Sequence, residues 1–285
     1  MRFYCLTGLL LLGLAWRLGA QVSVEVVFEE EQFLRDESLR LKVRITNLSG
    51  QELQLGEGRD WLTFSVENRD GIAVPRTGTV PVEGAFSLES AMVAHRTVDL
   101  MPYFDLSQPG RYLVSATVKI PKWGREFTSR PRGFEIVKGS KIWEQEFGVP
   151  GANAEPEVRK YALQLAPFFK ERKLYLRLTD APERLVFRVF PLGPIVSFGR
   201  PEAQLDKNSH LHVLFQTGAR TFAYTVVTPD GQVALQHTYD YTTSRPTLKS
   251  GADGRVLVSG GERRIVPAPA APSPPPPPEI PESKP

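Results

Sequence analysis

Leu106-Ser-Gln-Pro-Gly-Arg-Tyr-Leu-Val-Ser-Ala-Thr-Val-Lys-Ile120 decides how the first half of the chain reads. A Pro-Gly turn leads into Gly110-Arg-Tyr112, and from Tyr112 the residues alternate apolar and polar to Ile120, the period of a half-buried β-strand. The same period appears over 22–28, 39–45, 61–66 and 91–100 upstream, and again over 134–137. Turn signals separate these runs, among them Asn47-Leu-Ser-Gly50 and the Asp70-Gly71 of a hairpin. Asn47-Leu48-Ser49 also fits the glycosylation acceptor pattern and reads here as a turn. Short strands at this spacing predict a β-sandwich over 21–138.

The second half is organised by a repeat between Leu205 and Gly260. Arg200-Pro201 precedes Leu211 and Val213 at the same offsets at which Arg245-Pro246 precedes Val256 and Val258, a period of about 45 residues of the kind that propellers and solenoids show. A partial earlier copy aligns the runs starting at Leu174 and Leu185 with those starting at Leu211 and Phe222. The spacing predicts antiparallel meanders over 161–266. Residues 139–160 read as an inter-domain segment, with Ile142, Trp143 and Phe147 too apolar for a bare linker. Within it, 158–165 suits either a strand or a short helix ending before Pro167.

At 285 residues, with 41% hydrophobic and 24% charged residues, the chain can bury two ordinary cores. Residues 1–20 read as a signal peptide: Arg2 supplies the positive charge and 3–16 an apolar run short for a membrane span. Cleavage after Ala20 and retention as an amino-terminal anchor are both open, and either places the rest outside the cytoplasm, periplasmic or extracellular. Without this leader there are 33 basic against 32 acidic residues, which offers no electrostatic footprint for nucleic acid. The only cysteine, Cys5, lies in the leader, so the remainder has no disulfide, thiol nucleophile or thiolate metal site. No later apolar run has membrane length. From Pro267 to Pro285 ten of nineteen residues are proline, which predicts a disordered, polyproline-like tail, either a spacer or a ligand for a grooved partner.

The Gly110-Arg-Tyr112 pattern resembles the tyrosine corner of immunoglobulin-like and fibronectin type III-like sandwiches, including bacterial ones. The resemblance covers 21–138 and implies protein binding; the cysteine pair of antibody domains is missing. The meanders from Tyr161 to Ile265 resemble blades of a β-propeller, without a Trp-Asp dipeptide or an Asp-containing box.

Candidate chemistry is sparse. His210 and His212 lie two apart on one strand and so share a face, and His237 approaches them if its strand is a neighbour; three imidazoles suit zinc or copper. Because Leu211, Val213 and Phe215 claim the core face, the two histidines are expected on a wetter one. There is no Gly-x-Ser-x-Gly elbow and no phosphate-cradling loop, and no catalytic or cofactor-binding residue is assigned. The sequence therefore predicts an all-β, non-enzymatic binding or structural protein of the cell envelope, with a sheet edge or the proline-rich tail contacting a protein partner. A hydrolase of carbohydrate or peptide, working on the blade-like half, and a protease-inhibitor-like binder are the alternatives.

Overall fold

The computed structural model describes residues 21–149 and 157–265; the signal peptide expected over 1–20 and the tail expected over 267–285 lie outside the described residues. The fold is all-β. Among the described residues the helical pieces are two single 3-10 turns, Met101–Tyr103 and Pro121–Trp123, and no helix is long and apolar enough to cross a membrane. The chain divides into two compact units between Gly139 and Ser140.

The first unit contains β1 (Val22–Phe28), β2 (Gln32–Leu34), β3 (Arg40–Asn47), β4 (Leu53–Leu55), β5 (Leu62–Asn68), β6 (Phe86–Leu88), β7 (Val93–Asp99), β8 (Gly110–Ile120), β9 (Arg125–Thr128) and β10 (Arg132–Val137). One sheet has the order β1-β3-β7 and the other β2-β10-β8-β5, with β9 continuing alongside β8 and β4-β6 a separate pair. All pairings are antiparallel except β2 with β10, which is parallel. The alternation explains the core: Val22, Val24 and Val26 of β1, Leu41, Val43 and Ile45 of β3, and Tyr112, Val114, Ala116 and Val118 of β8 are buried in one cluster. Trp61 anchors one end, with its indole N–H donated to the Val82 carbonyl at 2.9 Å.

Two local readings of the sequence recur as side-chain geometry. The Tyr112 hydroxyl donates to the carbonyl of Gln108 at 2.6 Å while its ring stacks on Phe134 at 5.5 Å, so the phenol ties the turn to the strand that follows. The Asn47 amide is fully buried and donates to the carbonyls of Gln51 at 2.7 Å and Leu88 at 2.8 Å, while its oxygen accepts the Ser49 N–H at 3.0 Å. Both amide hydrogens are used inside the fold, which makes Asn47 a turn residue. The run from Glu29 to Glu37 supplies β2. Charged neighbours hide this short strand, whose parallel partner lies a hundred residues away in sequence.

The second unit contains β11 (Ser140–Val149), β12 (Glu157–Phe168), β13 (Glu171–Asp180), β14 (Val186–Ile195), β15 (Glu202–Leu205), β16 (Leu211–Gln216), β17 (Thr221–Val227), β18 (Val233–Asp240), β19 (Thr247–Ser250), β20 (Val256–Ser259) and β21 (Glu262–Arg263). β11-β12-β13-β14 is one antiparallel meander and β15-β16-β17-β18-β21 a second, while β19 and β20 form a hairpin. Thus residues 140–149, expected to connect two domains, begin this unit's own sheet, and 158–165 is strand, not helix. β14 runs through Pro191 and Pro194 as an edge strand, where missing N–H groups cost the ladder nothing.

Two apolar layers organise the unit. Phe147, Tyr161, Leu163, Leu174, Leu176 and Leu178 of the first meander pack against Leu211, Val213 and Phe215 of the second. The opposite face of the second meander, Leu214, Phe222, Tyr224 and Val226, packs against Leu248 and Val256 of the hairpin. Burying a Leu, Val or Phe is worth about 1.5–3 kcal/mol, so this layer stabilises a hairpin that is marginal in isolation. The 45-residue period is visible in the register: Leu205 pairs with Leu211, and 45 residues on Ser250 pairs with Val256. Each hairpin starts directly after its Arg-Pro. The earlier partial copy does not hold in position, since it sets the third and fourth strands of the first meander against the second and third of the next.

Tyr112→Phe is expected to cost about 1 kcal/mol, read as a lower denaturant midpoint with an unchanged m-value; an unchanged midpoint would show that the hydroxyl bond contributes nothing to the corner.

Candidate functional site

A partly buried cluster of titratable side chains lies on the face of the second meander that the hairpin covers. A strand places every second residue on one face, which brings His212 of β16, Tyr224 of β17 and His237 and Tyr239 of β18 to the same side. Asp206 and His210 join them from the β15–β16 turn. Asp206 forms this turn: its Oδ1 accepts the N–H groups of Asn208 and His210, both at 2.9 Å. Its other oxygen lies 3.2 Å from His210 Nδ1 and 3.4 Å from His212 Nε2. His212 Nδ1 is 2.7 Å from the Tyr224 hydroxyl.

The partners fix the tautomer. Nε2–H of His212 donates to the Asp206 carboxylate, leaving Nδ1 to accept the hydroxyl hydrogen of Tyr224. Tyr224, His212 and Asp206 therefore form one closed chain of hydrogen bonds. Burial pushes the His212 imidazole below its ordinary value, with the Asp206 carboxylate opposing the shift incompletely. Burial also pushes the Tyr224 phenol up to about 12. At Asp206 burial acts upward, but the N–H groups of His210 and Asn208 and the imidazole of His212 outweigh it and hold the carboxyl below the usual range. His237 is also lowered, by burial and by Arg263.

Of the sequence candidates, His210 and His212 converge on Asp206, whereas His237 does not reach them. Tyr224 stands between, its ring 5.9 Å from that of His212 and 6.5 Å from that of His237. His237 is two strands from His212, or about 10 Å at the usual strand spacing, while a zinc ion needs its nitrogens at about 2.0–2.1 Å. No group of three His, Asp or Glu side chains suited to a metal occurs among the described residues.

The expectation that His212 faces water is corrected: it is 7% exposed and Tyr224 5%. All six residues of β16 are buried, because the hairpin that follows covers the face that alternation alone assigns to solvent. The two repeated turns meet here, with Lys207 N–H donating to the Gly254 carbonyl at 3.1 Å. Leu248 N–H donates to the Glu202 carboxylate at 2.7 Å, and Ser250 Oγ bonds Gln204 at 3.0 Å. Asp206 and Tyr224 were not singled out by sequence reasoning as partners of the histidines. The signal was there in the i, i+4 spacing of Asp206 and His210 and in the position of Tyr224 on the neighbouring strand. Both imidazole nitrogens of His212 and the phenol of Tyr224 are committed inside the fold, so the network holds strands and layer together. Neither a model of a known protein family nor any curated protein matches the sequence.

The lowered His212 value sets a pH dependence. The unfolded histidine titrates near 6.5 and the folded one lower, so its contribution is complete above pH 6.5 and falls as the pH drops from there through the folded value. His212→Gln is expected to flatten the stability profile between pH 7 and pH 5 in denaturant titrations; a slope equal to that of the parent protein would contradict this assignment.

Proposed function

We propose that this chain is an exported, non-enzymatic binding or structural protein of the cell envelope, built from an immunoglobulin-like module followed by blade-like repeats. The observation that carries the reading is the closure of the Asp206–His212–Tyr224 chain, the place where catalytic groups would otherwise be sought. A general acid or base has to reach the proton it moves; His212 and Tyr224 are buried and bonded to each other, and Asp206 is bonded to both histidines and to the N–H groups of its own turn.

The immunoglobulin likeness is supported by topology. Taking β1, β3 and β7 as strands A, B and E, and β5, β8 and β10 as C, F and G, gives the two-sheet division of that sandwich, with the tyrosine corner at the entry to F. The blade likeness is supported by a four-stranded and a five-stranded antiparallel sheet packed face to face and by the 45-residue register of the hairpins. The export expectation rests on the leader at 1–20.

Cross-linking in intact cells is expected to trap a defined protein partner, and the purified chain is expected to turn over no glycoside, ester or peptide substrate. Turnover that disappears in Asp206→Asn would overturn the non-enzymatic reading.

A further inference from the structure

β1 is the edge of its sheet, pairing with β3 alone. The ladder fixes which way its backbone groups point. Leu48 N–H donates to the Gln21 carbonyl and Asn47 N–H donates away from β1 to Met92, so Ser23, Glu25 and Val27 are the residues of β1 that bond β3. By alternation, the N–H and C=O groups of Val24 and Val26 point outward from the edge.

That edge borders a groove rather than open solvent. Residues 23–27 form one wall, and Arg130, Pro131 and Arg132 form the other, enclosing about 640 Å³, within the size of ligand clefts. The opposite wall is held by a specific interruption of the other sheet. Ser129 is buried, accepts the Ala116 N–H on its hydroxyl at 3.0 Å and donates its own N–H to the Ala116 carbonyl at 2.8 Å. β9 ends before it and β10 begins after Pro131, so Arg130 and Pro131 stand out from the ladder at the groove. Arg132 is ion-paired with Glu31, whereas the exposed Arg130 has no ion pair among the described residues.

Composition marks this edge as one kept for pairing. Exposed edges are ordinarily blunted by charge or proline. The other edge of the same sheet, β7, carries His95, Arg96 and Asp99, whereas β1 reads Val-Ser-Val-Glu-Val-Val-Phe with the single charge of Glu25 turned to Arg44 at 3.6 Å. Val27 adds an apolar side chain, 45% exposed, on the outer face.

We infer that the β1 edge and its Arg130–Arg132 wall form a docking groove for an extended, acidic segment of a partner protein. The segment adds a strand by bonding the outward backbone groups of Val24 and Val26 and sets a carboxylate against Arg130. A second copy of this chain does not fit the same description: the only carboxylate on its own β1, Glu25, is already paired with Arg44, which leaves none to set against Arg130. The inference rests on the binding-protein reading and names the partner chemistry for one surface.

The test uses the full chain and fluorescein-labelled ten-residue peptides alternating Thr or Val with Glu, or with Lys, followed by anisotropy at fixed ionic strength. The acidic peptide is expected to bind at least ten times more tightly than the basic one. Arg130→Glu, on an exposed side chain that the fold does not use, is expected to remove at least ten-fold of that affinity. Val26→Pro removes an outward N–H without touching the β1–β3 bonds and is expected to do the same, its folding checked by the denaturant midpoint. Equal binding of the two peptides, or acidic binding unchanged by Arg130→Glu, overturns the groove. If that occurs while the cross-linked partner in cells persists with Arg130→Glu, the binding-protein reading stands without this surface.

Discussion

Every residue of β16 from Leu211 to Gln216 is buried, and a strand buried on both sides needs two covers. One cover is the first meander, through Leu163, Leu174 and Leu176. The other is the β19–β20 hairpin, through Leu248 and Val256. The remaining features of the unit follow from this double demand. Repetition supplies a second hairpin of matching register after Arg245-Pro246. The chain then turns back at Gly260, whose φ of +80° suits glycine and where an added Cβ would stand 2.6 Å from the Arg245 carbonyl oxygen, so that β21 can pair with β18. Polar residues caught on the covered face must find partners, and Asp206, His212 and Tyr224 find them in each other. Their hydrogen bonds are a consequence of layering before they are anything else.

The first unit solves a different problem. Its two sheets share one core and need no third layer, so what remains to be managed is edges. β7 is charged, β2 is tucked beside β10, and β5 ends in the turn that Asn68 holds by accepting the N–H groups of Asp70 and Ile72. β1 alone combines length, apolar character and a walled groove. The docking proposal for this unit therefore comes to rest on the outward backbone groups of β1 together with the Arg130 side chain across the groove.

Much of the architecture was legible where it is local. Alternation over 22–28 returned β1 residue for residue, Gly110-Arg-Tyr112 announced its hydrogen bond, and the two Arg-Pro pairs announced two hairpins. What stayed hidden is non-local. β2 depends on a strand 103 residues away across the Gln32–Glu135 contact. β11 is an edge strand whose side chains are mostly exposed, so it has little apolar period to read. The environment of His212 was misjudged because its cover is a hairpin more than thirty residues downstream. Likewise the pairing of Glu262-Arg263 with Tyr239 and Asp240 follows from strand order and not from local sequence. Of the candidate site, the shared face of His210 and His212 was legible, while Tyr224 as the separator that keeps His237 apart required the strand order.

Backbone hydrogen exchange of the native full chain, resolved by residue, tests the central claim most directly, because it separates paired from unpaired amides on a single strand. Along β1 the account predicts alternation, with Ser23, Glu25 and Val27 slow and Val24 and Val26 fast, against uniformly slow exchange over 211–214, where β16 is paired on both sides. Slow exchange of Val24 and Val26 would mean that the edge is already occupied within the chain and would contradict the account.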